Sequence, residues 1–235
     1  MSILLTFNSS NKVILATSLA ATLLLNACVT TQKTQTAKEN TNTIQNQKTS
    51  FSPRAETQYL SQEQAFKRSE RVSNVNYKLN FNLTGDESFS ASSIINFDLS
   101  DNNNPLTVDL SDANISSLVI NNISMTAEAI TTNYNNGFIT LPAKQLVKGN
   151  NTVTVSFTRK HSTNGEGLHR FKDPVDGKVY LYSHFEPAAA QQMFALLDQP
   201  DLKATVELTV SAPKEWTGFS ATKETSATPQ GDFTL

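Results

Sequence analysis

The chain has 235 residues, of which 38% are hydrophobic and 17% are charged, with eight glycines and eight prolines. This length can bury a sizeable core, and the composition excludes a fully disordered, collagen-like or polytopic membrane protein. The 19 basic and 21 acidic residues give a formal net charge of -2, which argues against the basic surface that a nucleic-acid partner requires. A single cysteine cannot form an internal disulfide, so the fold depends on packing alone.

The beginning of the chain has the pattern of a bacterial lipoprotein signal peptide. Lys12 precedes an apolar run that is too short to cross about 30 Å of hydrocarbon as an ordinary transmembrane helix. The run ends in Leu25-Asn26-Ala27-Cys28, which resembles a lipobox, in which the cysteine sulfur receives the lipid. A buried apolar helix with an incidental cysteine is the alternative. We expect residues 1–27 to be a signal peptide and Cys28 to be the lipidation site.

Residues 28–57 are expected to form a flexible tether behind the lipidated cysteine. They are rich in Thr, Gln, Asn, Lys and Ser, with Phe51 as the only aromatic residue, and cannot bury enough apolar surface to offset their ordering entropy. Val29 at the second mature position, by resemblance to bacterial sorting rules, favours the outer membrane. The expected location is therefore a bacterial membrane, with the folded region, residues 58–235, facing the periplasm or the cell surface.

A short amphipathic helix is predicted at the start of this folded region. Ser61-Gln62-Glu63-Gln64 has the form of a capping box, in which two backbone N–H groups are satisfied reciprocally. Ala65, Phe66 and Val72 supply the apolar positions of a helix that is expected to end near Ser73.

The remaining sequence predicts strands that are separated by turns. Apolar residues occupy every second position in 75–83 and again in 89–99, which is typical of two half-buried neighbouring strands. Asn135-Asn136-Gly137 is a hairpin-turn signal. Shorter strands are predicted at 106–110, 118–120, 138–139, 153–157, 179–182 and 202–210. A compact helix is predicted at 187–197, with Pro187 in its first turn. The predicted fold class is therefore mainly β and mostly antiparallel, with two short helices and a disordered N-terminal tether.

The residues that could carry chemistry are few. None of the three histidines, His161, His169 and His184, belongs to a His-Glu-x-x-His pair that would place two zinc ligands on one helical face. Glu166 and His169 could offer two ligands but have no convincing third, so a solvated loop is the simpler interpretation. No set of nucleophile, base and orienting residue is recognisable. We therefore predict no catalytic residues and no metal site in this chain.

Several uncommon sequence words follow one another between Gly165 and Trp216. They are Gly-Glu-Gly-Leu-His-Arg-Phe, then Tyr-Leu-Tyr-Ser-His-Phe-Glu-Pro, then Phe-Ala-Leu-Leu-Asp-Gln-Pro-Asp-Leu-Lys-Ala. This stretch resembles the amino-terminal domain of the aminopeptidase N family of zinc metallopeptidases, and the preceding strands fit that domain more loosely. The resemblance implies a saddle-shaped, mainly antiparallel β domain that packs against a thermolysin-like catalytic domain and lends residues to its active site.

The resemblance also implies a substrate-binding role for two residues. Family members carry a Gln-x-Glu at a strand end that reaches the free amino group of the substrate, and the matching positions here are His184 and Glu186. A peptide α-amine is largely charged at neutral pH, so a carboxylate can hold it by a charge-assisted hydrogen bond. Because the two positions are two apart on a strand, both side chains are expected on one face. Fixing the amine fixes which peptide bond meets the metal.

Each of these residues has a simpler alternative. Glu186, just before Pro187, could only favour the positive end of the predicted helix. His184 departs from the family's Gln and could have a packing role, and a charged imidazole would repel the amine. Asp198 is expected to hydrogen-bond the turn at 199–201, and Arg170 to pair with one of the nearby carboxylates.

The exopeptidase motif, the zinc helix and the third zinc ligand of the family all lie beyond the β domain, and the sequence ends at Leu235 before them. The expectation is a truncated, non-catalytic amino-terminal portion of a zinc-dependent aminopeptidase, inactive alone and without its own cofactor. Zinc would belong to the missing catalytic domain. The expected partners are peptide N-termini, that domain, and the membrane through the lipid anchor. The alternative is a catalytically inactive lipoprotein that uses the β domain for binding or assembly.

Overall fold

The computed structural model describes residues 4–6, 53–55, 59–230 and 233–234. These residues form a mainly β, mostly antiparallel structure with two α-helices, which confirms the predicted fold class. The helices are α1 (Gln62–Ser69) and α2 (Ala127–Asn133). The strands are β1 (Leu4–Thr6), β2 (Val72–Asn82), β3 (Ser88–Leu99), β4 (Leu106–Asp109), β5 (Asn114–Ile120), β6 (Ile123–Ser124), β7 (Phe138–Leu141), β8 (Gly149–Lys160), β9 (Gly167–Lys172), β10 (Val179–His184), β11 (Ala204–Pro213), β12 (Thr217–Phe219), β13 (Pro229–Gln230) and β14 (Phe233–Thr234).

Three sheets contain these strands. The largest has eight strands in the order β13-β14-β11-β2-β3-β8-β5-β6, and its neighbours are antiparallel except for the parallel pair of β11 and β2. A four-stranded sheet has the order β12-β1-β10-β9, and β4 pairs with β7 in a separate two-stranded sheet.

The core lies on one face of the large sheet. Every second residue of β3 from Phe89 to Leu99 is buried, and β2 and β8 repeat the alternation. This face forms one hydrophobic cluster with side chains of β4, β7 and residues 193–197. Its largest fully buried side chains include Phe89, Phe97 and Phe157, each of which stabilises the fold by about 1.5–3 kcal/mol through burial. The alternation of apolar residues thus turns one face of β2, β3 and β8 into the core.

The first helix begins with the predicted capping box. The Ser61 Oγ accepts a hydrogen bond from the Gln64 N–H at 3.3 Å, and the Ser61 N–H donates to the Gln64 Oε1 at 3.1 Å. The helix ends at Ser69, before the predicted end near Ser73, because β2 begins at Val72.

The prediction of a compact helix at 187–197 is wrong. The segment consists of turns and irregular backbone with one β-bridge, from Leu196 to Asp109, and its only helical part is a three-residue 3-10 helix at Ala190–Gln192. The alanines favour a helix, but backbone groups of this segment bond to the sheet instead, as when the Ala195 N–H donates to the Ser93 Oγ at 3.2 Å. Tertiary hydrogen bonding therefore overrides the local propensity.

The second helix of the described residues lies elsewhere, at Ala127–Asn133, where the Thr126 hydroxyl caps its first turn. It leads into the predicted hairpin turn, in which the Asn135 Oδ1 accepts hydrogen bonds from the Gly137 and Phe138 N–H groups at 3.0 and 2.9 Å. Asn136 adopts a φ of 65°, as such a turn requires.

Candidate functional site

The two predicted substrate-binding residues lie at one end of the β9–β10 hairpin. Strand β10 ends at His184, whose register partner in β9 is Gly167. The sequence did not predict β9. The His184 side chain is exposed at the strand end, where a ligand can reach it.

Glu186 follows two residues later and lies outside the strand. It begins a turn that runs through residue 189, and its peptide bond to Pro187 is cis. The prediction that His184 and Glu186 lie two apart on one strand, with both side chains on one face, is therefore wrong. The carboxylate of Glu186 is exposed. Because the following segment is not an α-helix, the alternative role for Glu186 at a helix N-terminus has no structural basis.

The backbone on both sides of Glu186 is held in place. Phe185 is half-buried, and its ring packs against Phe194 with 5.9 Å between centroids and an angle of 77° between planes. The Ala189 N–H donates to the Phe185 carbonyl at 2.8 Å and closes the turn. The exposed carboxylate thus projects from an anchored base.

We call residues 185–198 the Glu186 loop. Its later part is bonded to β2 and to the connection between β4 and β5: the Leu197 N–H donates to the buried Tyr77 hydroxyl at 3.0 Å, and the Ser111 N–H donates to the Gln191 carbonyl at 2.8 Å. Burial raises the pKa of Tyr77 to about 12, so its hydroxyl stays protonated across the physiological range. Groups on β2 and on the connection after β4 therefore hold the loop.

Glu166 and the first residue of β9, Gly167, contact the same loop. Gln192 is buried, and its Nε2 donates to the Glu166 Oε2 at 2.8 Å. Gly167 has a φ of +64°, and a Cβ at this position would lie 2.7 Å from the Gln192 Cβ. Only glycine fits this close approach without strain.

Glu166 and His169, the weak metal-ligand candidates, make other contacts. The His169 Nδ1 accepts a hydrogen bond from the Gly165 N–H at 3.0 Å, and the ring packs against Tyr182 with 4.8 Å between centroids. Among the described residues no group of three or more His, Cys, Asp or Glu side chains could hold a metal ion. The described part of the chain therefore does not fit a zinc site.

A buried charge network lies at the end of the Glu186 loop. The Asp109 Oδ2 accepts hydrogen bonds from the Arg68 Nη1 at 2.7 Å and from the Asp198 N–H at 2.9 Å. The Arg68 Nε donates to the Gln199 Oε1 at 2.8 Å. Such charges are tolerated in the interior because each is paired and hydrogen-bonded.

The predicted role of Asp198 in the turn at 199–201 is wrong. Its Oδ2 instead accepts a hydrogen bond from the Gln191 N–H at 3.2 Å, inside the Glu186 loop. Burial, with a further contribution from nearby Asp109, raises the pKa of Asp198 from 3.8 to about 6. Asp198 thus ties the two ends of the 191–198 stretch together, which a helix in that stretch would have prevented.

Sequence reasoning missed Arg68 and Asp109, because no spacing signal joins residues 41 positions apart. Arg170 pairs with a carboxylate that is distant in the sequence, Asp86, at 3.0 Å, and the Asp86 side chain is 94% exposed. Such an exposed pair contributes little to stability.

Cys28 and most of residues 1–57 lie outside the described residues. Two short parts of this region are described: the backbone of Leu4–Thr6 pairs with β10 and β12, and residues 53–55 include the buried side chain of Arg54. The folded part thus begins before the predicted boundary at residue 58. None of the helices in the described ranges is long and apolar enough to cross a bilayer.

The fold and site define a mainly antiparallel β domain that presents a carboxylate from an anchored loop. Comparison with known families gives a match of residues 73–234 to the Peptidase M1 N-terminal domain. The chain belongs to the peptidase M1 family, and the matched part is the N-terminal domain of that family.

Three relatives are similar to the chain. It is 34% identical to "Aminopeptidase N" of Streptomyces lividans over 165 residues, which cover 68% of the chain but 19% of that protein. It is also 34% identical to "Aminopeptidase N" of Acetobacter pasteurianus, over 38% of the chain and 26% of that protein. It is 34% identical to "Probable M1 family aminopeptidase 1" of Encephalitozoon cuniculi, over 30% of the chain and 8% of that protein. The chain thus spans about a fifth of the Streptomyces relative.

Proposed function

We propose that this domain binds the free amino terminus of a peptide for a zinc-dependent aminopeptidase, and that Glu186 is the residue that holds the amine. The observation that carries the proposal is the exposed carboxylate of Glu186 on a backbone that Phe185 anchors through Phe194. Because the backbone at Glu186 is already anchored, only the side chain loses conformational entropy when its carboxylate binds an ammonium group, and the resulting hydrogen bond is charge-assisted.

His184 is proposed as the second contact. It ends β10 two residues before Glu186 and is exposed like it. A neutral imidazole offers one acceptor nitrogen to an ammonium group and one donor to a carbonyl. His184→Gln, which restores the residue type that the family resemblance implies, should keep or strengthen amine binding, because a carboxamide also offers an acceptor and stays neutral.

The domain would supply binding and orientation. The family's zinc would polarise the scissile carbonyl or activate water from a separate catalytic domain, since no described residues of this chain fit that metal. Fixing the peptide amine relative to that domain would limit cleavage to the first peptide bond. The support for this division of roles is the family membership and the geometry of the Glu186 loop.

A titration with small amines tests the role of Glu186 directly. Isotope-labelled chain is titrated with alaninamide and, separately, with N-acetylalaninamide, while the amide and carboxyl NMR signals are followed. Alaninamide should shift the signals of residues 184–189, and the acetylated compound should not, because it has no charge. Glu186→Gln should abolish the shifts. Glu128→Gln, which removes an exposed carboxylate in α2, is the matched control and should leave them unchanged. Equal shifts with both compounds would show that Glu186 does not bind the charged amine.

We further propose that Cys28 carries the lipid and that the domain faces the periplasm or the cell surface. The support is the sequence Leu25-Asn26-Ala27-Cys28 behind an apolar run. Lipid chains contribute about 0.8 kcal/mol per buried CH₂, so two or more chains give stable attachment. In cells that express the full chain, Cys28→Ser should move the protein from the membrane fraction to the soluble fraction. Continued membrane association of this variant would contradict the anchor.

A further inference from the structure

A cleft of about 280 Å³ lies beside the Glu186 loop. Its lining includes Ala65 of α1, Asp109 at the end of β4, and Ala188 and Gln191 of the loop. Arg54, from the segment that precedes α1, also lines it. The cleft is therefore where residues 53–55, which we call the N-terminal arm, meet the rest of the domain.

The guanidinium of Arg54 contacts side chains of β4 and β7 there. Its Nη1 pairs with the Asp109 Oδ1 and lies 3.3 Å from the Thr107 Oγ1 as a second acceptor. Its Cζ lies 4.1 Å from the centroid of the Phe138 ring. The Arg54 side chain is only 4% exposed. A planar cation that stacks on a ring and bonds to a carboxylate uses the features that distinguish arginine from lysine.

The groups that receive Arg54 belong to the fold and not to the arm. Thr107 and Asp109 are two apart on β4 and therefore share a face, and Phe138 is the register partner of Asp109 in β7. The other oxygen of Asp109 is already held by Arg68 and by the Asp198 N–H. The Asp109 carboxylate is thus also held by groups outside residues 53–55.

We propose that Thr107, Asp109 and Phe138 form a guanidinium-binding site whose ligand in this chain is the side chain of Arg54. The site fixes the point at which the N-terminal arm joins the domain. Ala188 lines the same cleft and follows Glu186 by two residues, so the arm is held next to the Glu186 loop. The proposal does not depend on what Glu186 binds.

Limited proteolysis with trypsin tests the docking. Trypsin cleaves after arginine and lysine, so Arg54→Lys keeps a cleavable bond after residue 54 but replaces the planar cation with a compact one. In the unmodified chain this bond should be cut at least about 10-fold more slowly than the bond after exposed Lys223. In Arg54→Lys it should be cut about 10-fold faster, with cleavage after Lys223 unchanged. Equal rates after residue 54 in the two chains would overturn the proposal.

Chemical rescue tests the ligand class. In Arg54→Ala, about 10 mM methylguanidinium should raise the thermal midpoint of unfolding, because a ligand that binds only the folded state stabilises it. Methylammonium at the same concentration carries the same charge and should have no such effect. Adding Phe138→Leu to Arg54→Ala should weaken the rescue by removing the stacking surface. No rescue, or the same rise with both cations, would show that the site does not select a guanidinium.

Discussion

The backbone N–H of Asp198 donates a hydrogen bond of 2.9 Å to the carboxylate of Asp109. This bond joins the end of the Glu186 loop to β4, while the same carboxylate pairs with two arginines. One buried acid therefore connects the N-terminal arm, helix α1 and the loop that carries the proposed amine-binding residue. The stability of the domain and the geometry of the loop consequently depend on the same group.

Asp109→Asn should lower the free energy of unfolding by about 3–5 kcal/mol. Asp109 is almost fully buried, and a neutral amide would leave the charges of Arg54 and Arg68 buried without their carboxylate. Equilibrium unfolding in urea, followed by tryptophan fluorescence, measures the change. The urea concentration at the midpoint of unfolding should fall. The slope of the free energy of unfolding against urea concentration should stay the same.

Glu207→Gln is the control for this experiment. Glu207 pairs with Lys78 at 2.9 Å on the surface, where the two side chains are 66% and 51% exposed. Removing one partner of such a pair should change the free energy of unfolding by about 0.5 kcal/mol or less. An equal loss in the two variants would mean that burial of the Asp109 network contributes nothing beyond an ordinary ion pair.

Asp198 should make the stability of the domain depend on pH between about 4 and 6. Its pKa is about 6 in the folded state and near 3.8 when it is exposed, so the folded state takes up a proton more readily. The stabilisation that this proton provides is present below pH 4 and is lost as the pH rises through 6. A pKa difference of about two corresponds to about 3 kcal/mol of unfolding free energy.

The measurement is a comparison of the chain with Asp198→Asn at pH 4, 5, 6 and 7. The amide cannot ionise, so the free energy of unfolding of this variant, taken relative to the unmodified chain, should increase as the pH rises. Other carboxylates titrate in both proteins and cancel in the difference. A difference that is constant over this range would show that Asp198 is not the group responsible.

Strands β2, β3 and β8 could be predicted from the sequence because each has one buried face. The alternation in 75–83 and 89–99 identified β2 and β3, and the Asn135-Asn136-Gly137 signal identified a turn that the backbone adopts. The capping box at Ser61 was confirmed as well. These features are determined by neighbours within a few residues, which a single sequence contains.

The Glu186 loop could not be predicted in the same way. Its alanines favour a helix locally. Its backbone N–H groups instead donate hydrogen bonds to side chains on distant strands, such as the Tyr77 hydroxyl and the Ser93 Oγ. The pairing of Arg54 with Asp109 joins positions 55 apart. Periodicity describes the face of one element, and it does not indicate which polar groups on different elements meet in the fold.

Gly167→Ala should disturb the clamp between β9 and the Glu186 loop. An alanine there would adopt a left-handed conformation and place its Cβ 2.7 Å from the Gln192 Cβ. The expected loss of unfolding free energy is about 2–4 kcal/mol, of which 1–2 kcal/mol is backbone strain and the remainder is the steric clash.

Gly177→Ala separates these two contributions. Gly177 has a φ of +69°, but a Cβ there would meet nothing within 4 Å. This variant should therefore lose only the backbone cost of about 1–2 kcal/mol. Urea unfolding of both variants gives the comparison. If Gly167→Ala were no less stable than Gly177→Ala, the close approach of β9 to Gln192 would not contribute to the free energy of unfolding.

Glu186→Ala should weaken substrate capture in a protein that joins this domain to an M1 peptidase domain. A hydrogen bond between charged groups contributes about 1.5–3 kcal/mol, so kcat/KM for an alanyl peptide substrate should fall about 10- to 150-fold. Most of the change should be in KM if the amine contact is equally strong in the ground and transition states. Glu186→Gln should have a similar effect, because the charge is the feature that binds the ammonium group.

Glu128→Gln, which removes an exposed carboxylate on α2, is the control and should leave kcat and KM unchanged. Unaltered kinetics in both Glu186 variants would mean that this carboxylate does not hold the amine, even if the domain is required for folding.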